Sequence, residues 1–225
     1  MRIAVVSDVH ADLASLQDAL VHVEDLKCDL AVCTGDLVDY GPNPDATIAL
    51  LREHGVVCIR GNHDRWALAK ASGPDELDVA DEPALSPVSL SFLESLPTAW
   101  CATHEGVAVA MHHASPNSDM RPILPDQASQ ADVRRWLAHC AADVLIVGHT
   151  HRAFVLRAYD SGLIVNPGAL LRSESIDETR HVRLRASWPA AGGTFGILEL
   201  PACSFRVFDG RDGSELCAPT WIAQD

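Results

Sequence analysis

The chain has 225 residues, of which 48% are apolar and 21% are charged, as is ordinary for a globular protein with one substantial hydrophobic core. Its formal net charge of −14 argues against non-specific binding to nucleic acid, because a phosphate backbone would be repelled. No run of apolar residues approaches the roughly 18 that a membrane-spanning helix needs.

The cysteines and the N-terminus indicate a cytoplasmic protein. The seven cysteines are an odd number without a Cys-x-x-Cys motif, which predicts mostly buried free thiols in a reducing compartment. The sequence enters a predicted strand at residue 3, without the basic and long apolar segments of a signal peptide.

The first part of the chain alternates between short apolar runs and helical patterns. Strands are predicted over 3–6, 30–33 and 56–59, and helices near 13–23, over 44–54 and around Trp66. Strand–helix–strand units form parallel sheets through right-handed crossovers, so the predicted fold class is α/β.

The rest of the chain is less regular and becomes rich in strands towards its end. One helix is predicted over 87–96, where Ser86 and Pro87 supply a cap and a first-turn proline, and another over 131–140. Residues 72–85 and 114–128 are predicted to be loops. Strands are predicted over 107–111, 144–147, 154–159, 163–165, 196–200 and 205–208. There is no internal repeat and no clear domain boundary, so we expect residues 1–225 to form one domain.

Five short polar motifs follow one another along the chain, and most come directly after a predicted strand. They are Asp8-x-His10, Gly35-Asp36-x-x-Asp39, Gly61-Asn62-His63-Asp64, His112-His113 and Gly148-His149-x-His151. Side chains two apart on an extended segment point to the same side. The two residues of the first motif can therefore converge on one ion, and the two histidines of the last motif have the same spacing. Open α/β sheets bind ligands at the carboxyl ends of their strands, so these motifs are expected to meet at one edge.

Each motif alone has an ordinary explanation. An isolated Asp-x-His or His-x-His is far more often a turn residue beside a surface histidine than a metal site. Asp36 could belong to an acidic turn before a helix, and Asn62 could be a helix N-cap. Five such motifs in this order, mostly at strand ends, are not expected to coincide in an unrelated fold.

The residue types also suit metal-assisted chemistry. Gly35 allows a sharp turn that brings Asp36 close to an ion, and a carboxylate can bridge two metals. Asn62 can lend a neutral carbonyl oxygen to a cation. His63 can instead face a substrate and protonate a leaving oxygen, its ring oriented by Asp39 or Asp64.

Together the motifs resemble those of the calcineurin-like metallophosphoesterase superfamily, which read Asp-x-His, Gly-Asp-x-x-Asp, Gly-Asn-His-Asp/Glu, His and Gly-His-x-His. The resemblance spans roughly residues 1–170 and is greatest to the small bacterial phosphodiesterases, which carry a segment like Asn166-Pro167-Gly168. It implies an α/β/β/α sandwich of two mixed sheets flanked by helices. It also implies two divalent metal ions (Mn, Fe or Zn) and a small phosphorylated substrate.

The resemblance further implies a role for each site residue. One metal would be held by Asp8, His10 and His151, the other by Asn62, His113 and His149, with Asp36 bridging the two. His113 is preferred to His112 because His113-Ala-Ser-Pro resembles the family's His-Gly/Ala-Ser-Pro. A metal-bridging hydroxide would attack phosphorus in line, with His63 as general acid and Asp39 as its orienting partner.

Two departures from the family pattern are informative. Protein serine/threonine phosphatases of this superfamily usually carry arginine directly after the Gly-Asp-x-x-Asp aspartate. Tyr40 stands there in this chain, which argues against a phosphoprotein substrate. Ala11 stands where relatives often have glycine, and we expect ordinary backbone angles at this residue.

Other activities would use the same residues. A phosphomonoesterase, a dinucleoside polyphosphate hydrolase or a protein phosphatase would need the same metal centre, and the leaving group would be selected by loops such as 72–85 and 114–128. A non-catalytic binding scaffold is a further alternative, although this chain retains every expected ligand and the acid histidine.

One basic stretch stands out in this acidic chain. It contains Arg172, Arg180, Arg183 and Arg185. We expect a solvated face that balances neighbouring acids rather than a phosphate-binding site, because charge runs are usually solvated.

Overall fold

The computed structural model describes residues 1–72, 84–159, 162–172 and 193–225. The elements, in chain order, are β1 (Arg2–Val6), α1 (Leu13–Asp25), β2 (Leu30–Cys33), α2 (Pro44–Glu53), β3 (Val57–Cys58), α3 (Asn62–Ser72), α4 (Pro87–Ser95), β4 (Ala99–His104), β5 (Val107–His112), α5 (Gln130–Cys140), β6 (Val144–Ile146), β7 (Phe154–Arg157), β8 (Leu163–Asn166), β9 (Thr194–Glu199), β10 (Ser204–Asp209), β11 (Glu215–Leu216) and β12 (Thr220–Ile222).

The strands form two mixed sheets. The first has the order β11-β10-β9-β1-β2-β3 and the second the order β12-β7-β8-β6-β5-β4. Strands β1, β2 and β3 are parallel, as the strand–helix alternation predicted. Strand β9 pairs antiparallel with β1, and β10 pairs antiparallel with β9. In the second sheet β5, β6 and β8 run parallel, flanked by antiparallel β4 and β7.

Both faces of each sheet are covered, so alternate residues of a strand enter different cores. In β1, Ile3 and Val5 belong to the core between the sheets, whereas Ala4 and Val6 pack with the helices on the outer face. Helix α5 covers the outer face of the second sheet, in the core that contains Val133. The layers are therefore helix, sheet, sheet and helix, which confirms the predicted α/β/β/α sandwich.

The structure has three strands that the sequence analysis did not predict, namely β4, β11 and β12. Strand β4 lies at an edge of its sheet and is half exposed. It joins β5 through a turn at Glu105 and Gly106, which both have positive φ, as a two-residue hairpin turn requires. Conversely, β3 contains only two of the four residues predicted for it.

The basic stretch is only partly within the described residues. Arg172 is 8% exposed and pairs with Asp18 at 2.9 Å, so the expectation of a solvated face is wrong for this residue. Arg180, Arg183 and Arg185 lie outside the described residues, as do positions 73–83 of the predicted loop 72–85.

The cysteines and helices complete the description. All seven cysteines are free, but only Cys33 and Cys58 are buried, so the prediction that most are buried is wrong. None of the helices in the described ranges has the length and apolar character that crossing a bilayer requires.

Candidate metal centre

Loops from both sheets meet at one edge of the sandwich and carry the polar motifs. These loops follow β1, β2, β3, β5 and β6. Backbone hydrogen bonds join them, because the N–H of His10 donates to Asp36 O at 3.0 Å and the N–H of Gly148 donates to His113 O at 2.7 Å. Motifs up to 141 residues apart in sequence are thereby brought into contact.

The first group of potential metal ligands consists of Asp8, His10, Asp36 and His151. Nε2 of His151 lies 3.0 Å from Oδ1 of Asp8 and 3.2 Å from Nε2 of His10. Nε2 of His10 is 3.8 Å from Oδ2 of Asp36. Four donor atoms thus surround one small volume, and three of these residues are buried.

The second group consists of Asp36, His113 and His149, with the amide of Asn62 between them. Nε2 of His113 lies 3.2 Å from Oδ2 of Asp36 and 2.9 Å from Oδ1 of Asn62. Nδ1 of His149 lies 3.0 Å from the same amide oxygen. Asp36 is therefore common to both groups, and its Oδ2 lies between His10 and His113.

The adjacent His112 is not part of either group. Burial and the nearby His139 lower the pKa of His112, whereas its neighbour His113 faces the carboxylates. His113, the residue chosen from the sequence, is the one that lies beside Asp36.

Two of the imidazoles are held in the tautomer that a metal ligand needs. Nδ1 of His10 is 3.1 Å from Val38 O, and Nδ1 of His113 is 2.8 Å from Thr34 O. A carbonyl oxygen only accepts, so each Nδ1 carries a hydrogen and each Nε2 points to the centre, where it can bind a cation once it has released its own proton. Such backbone contacts orient metal-binding histidines.

Two polar atoms in the centre lack the partners that a purely protein-based network would give them. Among the described residues none donates an aligned hydrogen bond to Oδ1 of Asp8, which is buried. The oxygen of Asn62 faces ring nitrogens of His113 and His149, although rotating the amide would let its NH2 group donate to both. A carboxylate oxygen without an aligned donor and an amide oxygen that faces two imidazoles both suit ligation of a cation, so Asp8, and Asn62 in the unrotated orientation, fit a bound metal.

The charges of the centre also favour bound cations. Burial raises the pKa of Asp8, but the charge of His151 and its contact with the carboxylate outweigh burial and lower the pKa to about 2. Burial lowers the pKa of His113, but the charge of Asp36 outweighs this and raises it to about 10. Ionised carboxylates in a buried site thus stabilise positive charge on their neighbours.

His63 belongs to neither ligand group and contacts a different set of side chains. Its Nδ1 is hydrogen-bonded to Oδ2 of Asp39, and its backbone N–H donates to Oδ1 of Asp36 at 2.9 Å. Burial lowers the pKa of His63, but the hydrogen bond to Asp39 and the nearby carboxylates outweigh burial and leave it raised. Of the two candidate orienting residues, Asp39 is the one that holds the ring.

Asp64, the other candidate, connects two loops. Its carboxylate accepts backbone N–H donors from Gly61 at 2.8 Å, from Asp36 at 3.0 Å and from Leu37 at 2.8 Å. Burial and the charge of Asp36 raise the pKa of Asp64 to about 6. This residue therefore holds the loop after β2 against the loop after β3.

Many residues of the motifs have left-handed backbone angles. Positive φ values occur at Asp8, His10, Ala11, Asp36, Asp39, Tyr40, His149 and His151. Such angles are costly for residues other than glycine and concentrate at functional sites. The expectation of ordinary angles at Ala11 is wrong, because its φ is +56°.

Two glycines are required by close contacts rather than by backbone angles. A Cβ on Gly61 would lie 2.1 Å from Oδ1 of Asp36, and one on Gly148 would lie 2.0 Å from Oγ of Ser7. Both glycines lie within the predicted motifs. Because glycine has no side chain, these two positions leave room for the carboxylates of Asp36 and Asp8.

Some residues that support the centre were not identified from the sequence. Oγ of Ser7 is hydrogen-bonded to Oδ2 of Asp8 and lies close to the hydroxyl of Thr34. The amide of Asn166 donates to Gly148 O at 2.7 Å and so holds the last motif. Ser7 directly precedes a motif and Thr34 lies two residues before Asp36, but a hydroxyl beside a motif is too common a feature to be informative.

Comparison with known proteins gives a family for this arrangement. A sequence profile of the calcineurin-like phosphoesterase superfamily domain matches residues 1–185. An uncharacterized protein of Methanocaldococcus jannaschii is 29% identical over 184 residues, which are 76% of this chain and 71% of that protein.

Solved structures share the fold. A metallophosphoesterase from Sphaerobacter thermophilus matches with a TM-score of 0.66 and 22% identity, covering 97% of this chain and 89% of the other. A hypothetical protein from Pyrococcus horikoshii OT3 matches with a TM-score of 0.72 and 18% identity, covering 92% and 87% of the two chains.

Proposed function

This chain belongs to the calcineurin-like phosphoesterase superfamily, and we propose that it is a dinuclear metal-dependent phosphoesterase that hydrolyses phosphodiester or phosphomonoester bonds. The proposal depends on the position of Asp36, because its carboxylate belongs to both groups of potential ligands. A shared carboxylate supports two ions rather than one.

The two ions would be Mn, Fe or Zn, because mixed nitrogen and oxygen ligation without thiolate suits these metals. The proposed ligands are Asp8, His10 and His151 for one ion, and Asn62, His113 and His149 for the other, with Asp36 common to both. When bound, the ions would lower the pKa of a water molecule and offset charge on the phosphoryl oxygens.

The local charge of the centre differs in sign from that of the whole chain. Two carboxylates opposite two divalent ions leave a net charge of about +2, although the chain carries −14. Asp8 and Asp36 would thus hold the cations without neutralising them. A small anionic phosphoester is attracted to this edge of the sandwich.

His63 is the proposed general acid. Asp39 binds Nδ1, which leaves Nε2 to carry a proton towards the substrate. In the reaction Nε2 donates this proton to the oxygen that leaves phosphorus. Asp39 keeps the ring in position and stabilises its charged form.

The remaining proposals concern the molecule and its location. We propose that residues 1–225 act as one domain, since strands from both ends of the chain pair in the first sheet. The free cysteines support a reducing compartment, and we propose the cytoplasm.

The test is hydrolysis of bis-p-nitrophenyl phosphate with Mn²⁺ by the wild type and by Asp36→Asn. Asparagine keeps the shape of the side chain but removes its charge and one ligating oxygen. We expect kcat/KM to fall at least about 100-fold. Inductively coupled plasma mass spectrometry should also show fewer metal ions bound per chain.

The matched control is Asp25→Asn, the same change at an exposed aspartate at the end of α1, which should leave the rate unchanged. Full activity in Asp36→Asn would rule out the two-metal mechanism. A wild type that binds no metal and cleaves neither diester nor monoester would instead indicate a non-catalytic scaffold.

A further inference from the structure

Two aromatic side chains, Tyr40 and Trp66, contact the ring of His63 in addition to Asp39. The hydroxyl of Tyr40 lies 3.3 Å from Nε2 of His63, and the two ring centroids are 4.8 Å apart. The ring of Trp66 contacts His63 edge-on, with centroids 4.7 Å apart. The ring of the proposed acid is therefore in contact with both a hydroxyl-bearing ring and an indole.

We propose that Tyr40 and Trp66 bind the leaving group of the substrate. The hydroxyl of Tyr40 donates a second hydrogen bond to the leaving oxygen, and the indole of Trp66 packs against a planar, uncharged leaving group. The inference rests on the proposed phosphoesterase function and adds to it the chemical class of the leaving group.

The position of the Tyr40 hydroxyl supports a shared contact with the substrate. Nδ1 of His63 is bound to Asp39, so Nε2 is the nitrogen that can protonate a leaving oxygen. Two donors 3.3 Å apart can both reach one oxygen at about 2.8 Å. The Tyr40 hydroxyl thus lies where it can assist the proton transfer from His63.

The backbone holds Tyr40 in this position. Its φ is +66°, an angle that is unfavourable for tyrosine. Its N–H donates to Oδ1 of Asp39 at 2.9 Å, so one carboxylate fixes both Tyr40 and His63. The ring also packs against His10, with centroids 4.6 Å apart. Strain of this kind is retained where the position of a side chain matters.

Trp66 offers a second aromatic surface in contact with His63. It lies one turn after His63 on α3 and is 43% exposed. Large aromatic side chains beside a polar site commonly bind planar groups.

The cation next to Trp66 is neutralised by its own partner. The guanidinium of Arg65 lies 6.0 Å from the centre of the Trp66 ring, and its Nε pairs with Asp119 at 2.6 Å. Arg65 therefore brings little net charge to the leaving group. Aryl esters fit such a surface better than esters whose leaving group is itself charged.

The first test compares two diesters that differ only in their leaving group, methyl phenyl phosphate and methyl p-nitrophenyl phosphate. Phenolate needs more stabilisation than p-nitrophenolate, so loss of a hydrogen bond to the leaving oxygen affects it more. In Tyr40→Phe we expect kcat/KM to fall about 10-fold for methyl phenyl phosphate and much less for the nitro ester, with bound Mn²⁺ unchanged.

The chain provides a matched control, because its only other tyrosine is Tyr159, which is 72% exposed at the end of β7. Tyr159→Phe should leave both rates unchanged. Equal losses for the two esters in Tyr40→Phe, or a loss of bound Mn²⁺, would overturn the role of the hydroxyl.

The second test measures binding without turnover. Calorimetry with the Mn²⁺-loaded protein should show that Trp66→Ala weakens phenylphosphonate about 10-fold and leaves methylphosphonate unchanged. Trp66→Phe should restore most of the difference. Equal affinities of wild type and Trp66→Ala for phenylphosphonate would overturn the role of the indole.

Failure of the phosphoesterase function and failure of the leaving-group site give different results. A wild type that hydrolyses neither ester with Mn²⁺ contradicts the phosphoesterase function. A wild type that hydrolyses both, with unchanged leaving-group dependence in Tyr40→Phe, contradicts only the leaving-group site.

Discussion

At the scale of single residues, His63 differs from the other histidines of the centre in what its ring nitrogens contact. His10 and His113 direct Nδ1 to a backbone carbonyl and Nε2 to the carboxylates, whereas His63 binds Asp39 through Nδ1. His63→Ala should therefore leave the bound metal in place and lower kcat by about 100-fold or more for methyl phenyl phosphate.

This prediction has two internal checks. Replacement of the exposed His54, which pairs with Glu24 at 3.7 Å, by alanine should not change kcat. Loss of metal from His63→Ala, measured by plasma mass spectrometry, would make His63 a ligand and not the acid.

Gly61 is a residue at which a single methyl group should disturb the centre. Its Cβ would lie 2.1 Å from Oδ1 of Asp36 and 2.4 Å from the backbone nitrogen of the same residue, so Asp36 has to move. We expect Gly61→Ala to weaken Mn²⁺ binding at least about 10-fold in calorimetry.

Gly106 provides the control for this substitution. Its φ is +80°, and a Cβ there meets open space, so Gly106→Ala introduces backbone strain without touching the centre. It should lower Tm but keep the affinity for Mn²⁺. Unchanged metal affinity in Gly61→Ala would show that Asp36 does not depend on this contact.

The sequence predicted which residues meet, but not all of their roles. The proposed ligands follow strand ends. Because the carboxyl ends of parallel strands lie at the same edge of a sheet, Asp8, Asp36 and Asn62 could be expected to meet. The choice between Asp39 and Asp64 depends on which loop each carboxylate reaches. The φ of Ala11 depends on how its loop docks against Gly41, whose N–H donates to His10 O at 2.9 Å.

At the scale of elements, the two ends of α5 show how local sequence determines a helix. Ser129 and Asp132 form a capping box at its start, and the structure begins the helix one residue before the predicted 131. Its end is less favourable, because the C-cap residue Ala141 has a left-handed φ of +49° that glycine adopts more easily.

Two alanine-to-glycine substitutions three positions apart should therefore have opposite effects. Ala141→Gly should stabilise the protein by about 1 kcal/mol, and Ala138→Gly, at an exposed position within the helix, should destabilise it by about 1 kcal/mol. For a chain of this length each change corresponds to a Tm shift of about 2–4 °C in thermal denaturation. A fall in Tm for Ala141→Gly would contradict the importance of the strained cap.

Central strands were easier to predict than edge strands. Residues 163–165 are an apolar run that is buried throughout. Residues 30–33 are an apolar run that is buried at Val32 and Cys33, and the structure has strands at both places. Strand β4 begins with four apolar residues, Ala99–Ala102, but contains only half-buried and exposed residues, and β12 is exposed throughout. Their pairing partners, rather than their own composition, make them strands.

At the scale of the whole molecule, bound metal should stabilise the fold, because the ligands come from both sheets and meet only in the folded chain. A ligand at 100 times its Kd adds about 2.7 kcal/mol per site when it binds only the native state. Adding Mn²⁺ should therefore raise Tm by about 5–10 °C per site filled, and EDTA should reverse the effect. Sodium chloride at equal ionic strength is the control, and an unchanged Tm with Mn²⁺ would argue against a folded metal site.

The fold class followed from local patterns, whereas the strand order did not. Alternating strands and helices predicted the parallel arrangement of β1, β2 and β3. Residues 194–209 form β9 and β10, which join the first sheet beside β1. Their sequence does not indicate this choice, and the second-sheet strands β7 and β8 lie nearer in the chain. That choice is made by contacts between distant apolar faces, such as Ile3 opposite Leu198.

The carboxylate of Asp64 has a consequence for how this scaffold can be altered. It accepts hydrogen bonds from the loop after β2 and from the loop after β3, so the two loops share one anchor. The donors are backbone N–H groups, so a loop transplanted from a relative is held only if its turn places the same N–H groups against this carboxylate. For protein engineering the two loops form one interchangeable cassette, and recombination that separates residue 36 from residue 64 is expected to give inactive chimeras.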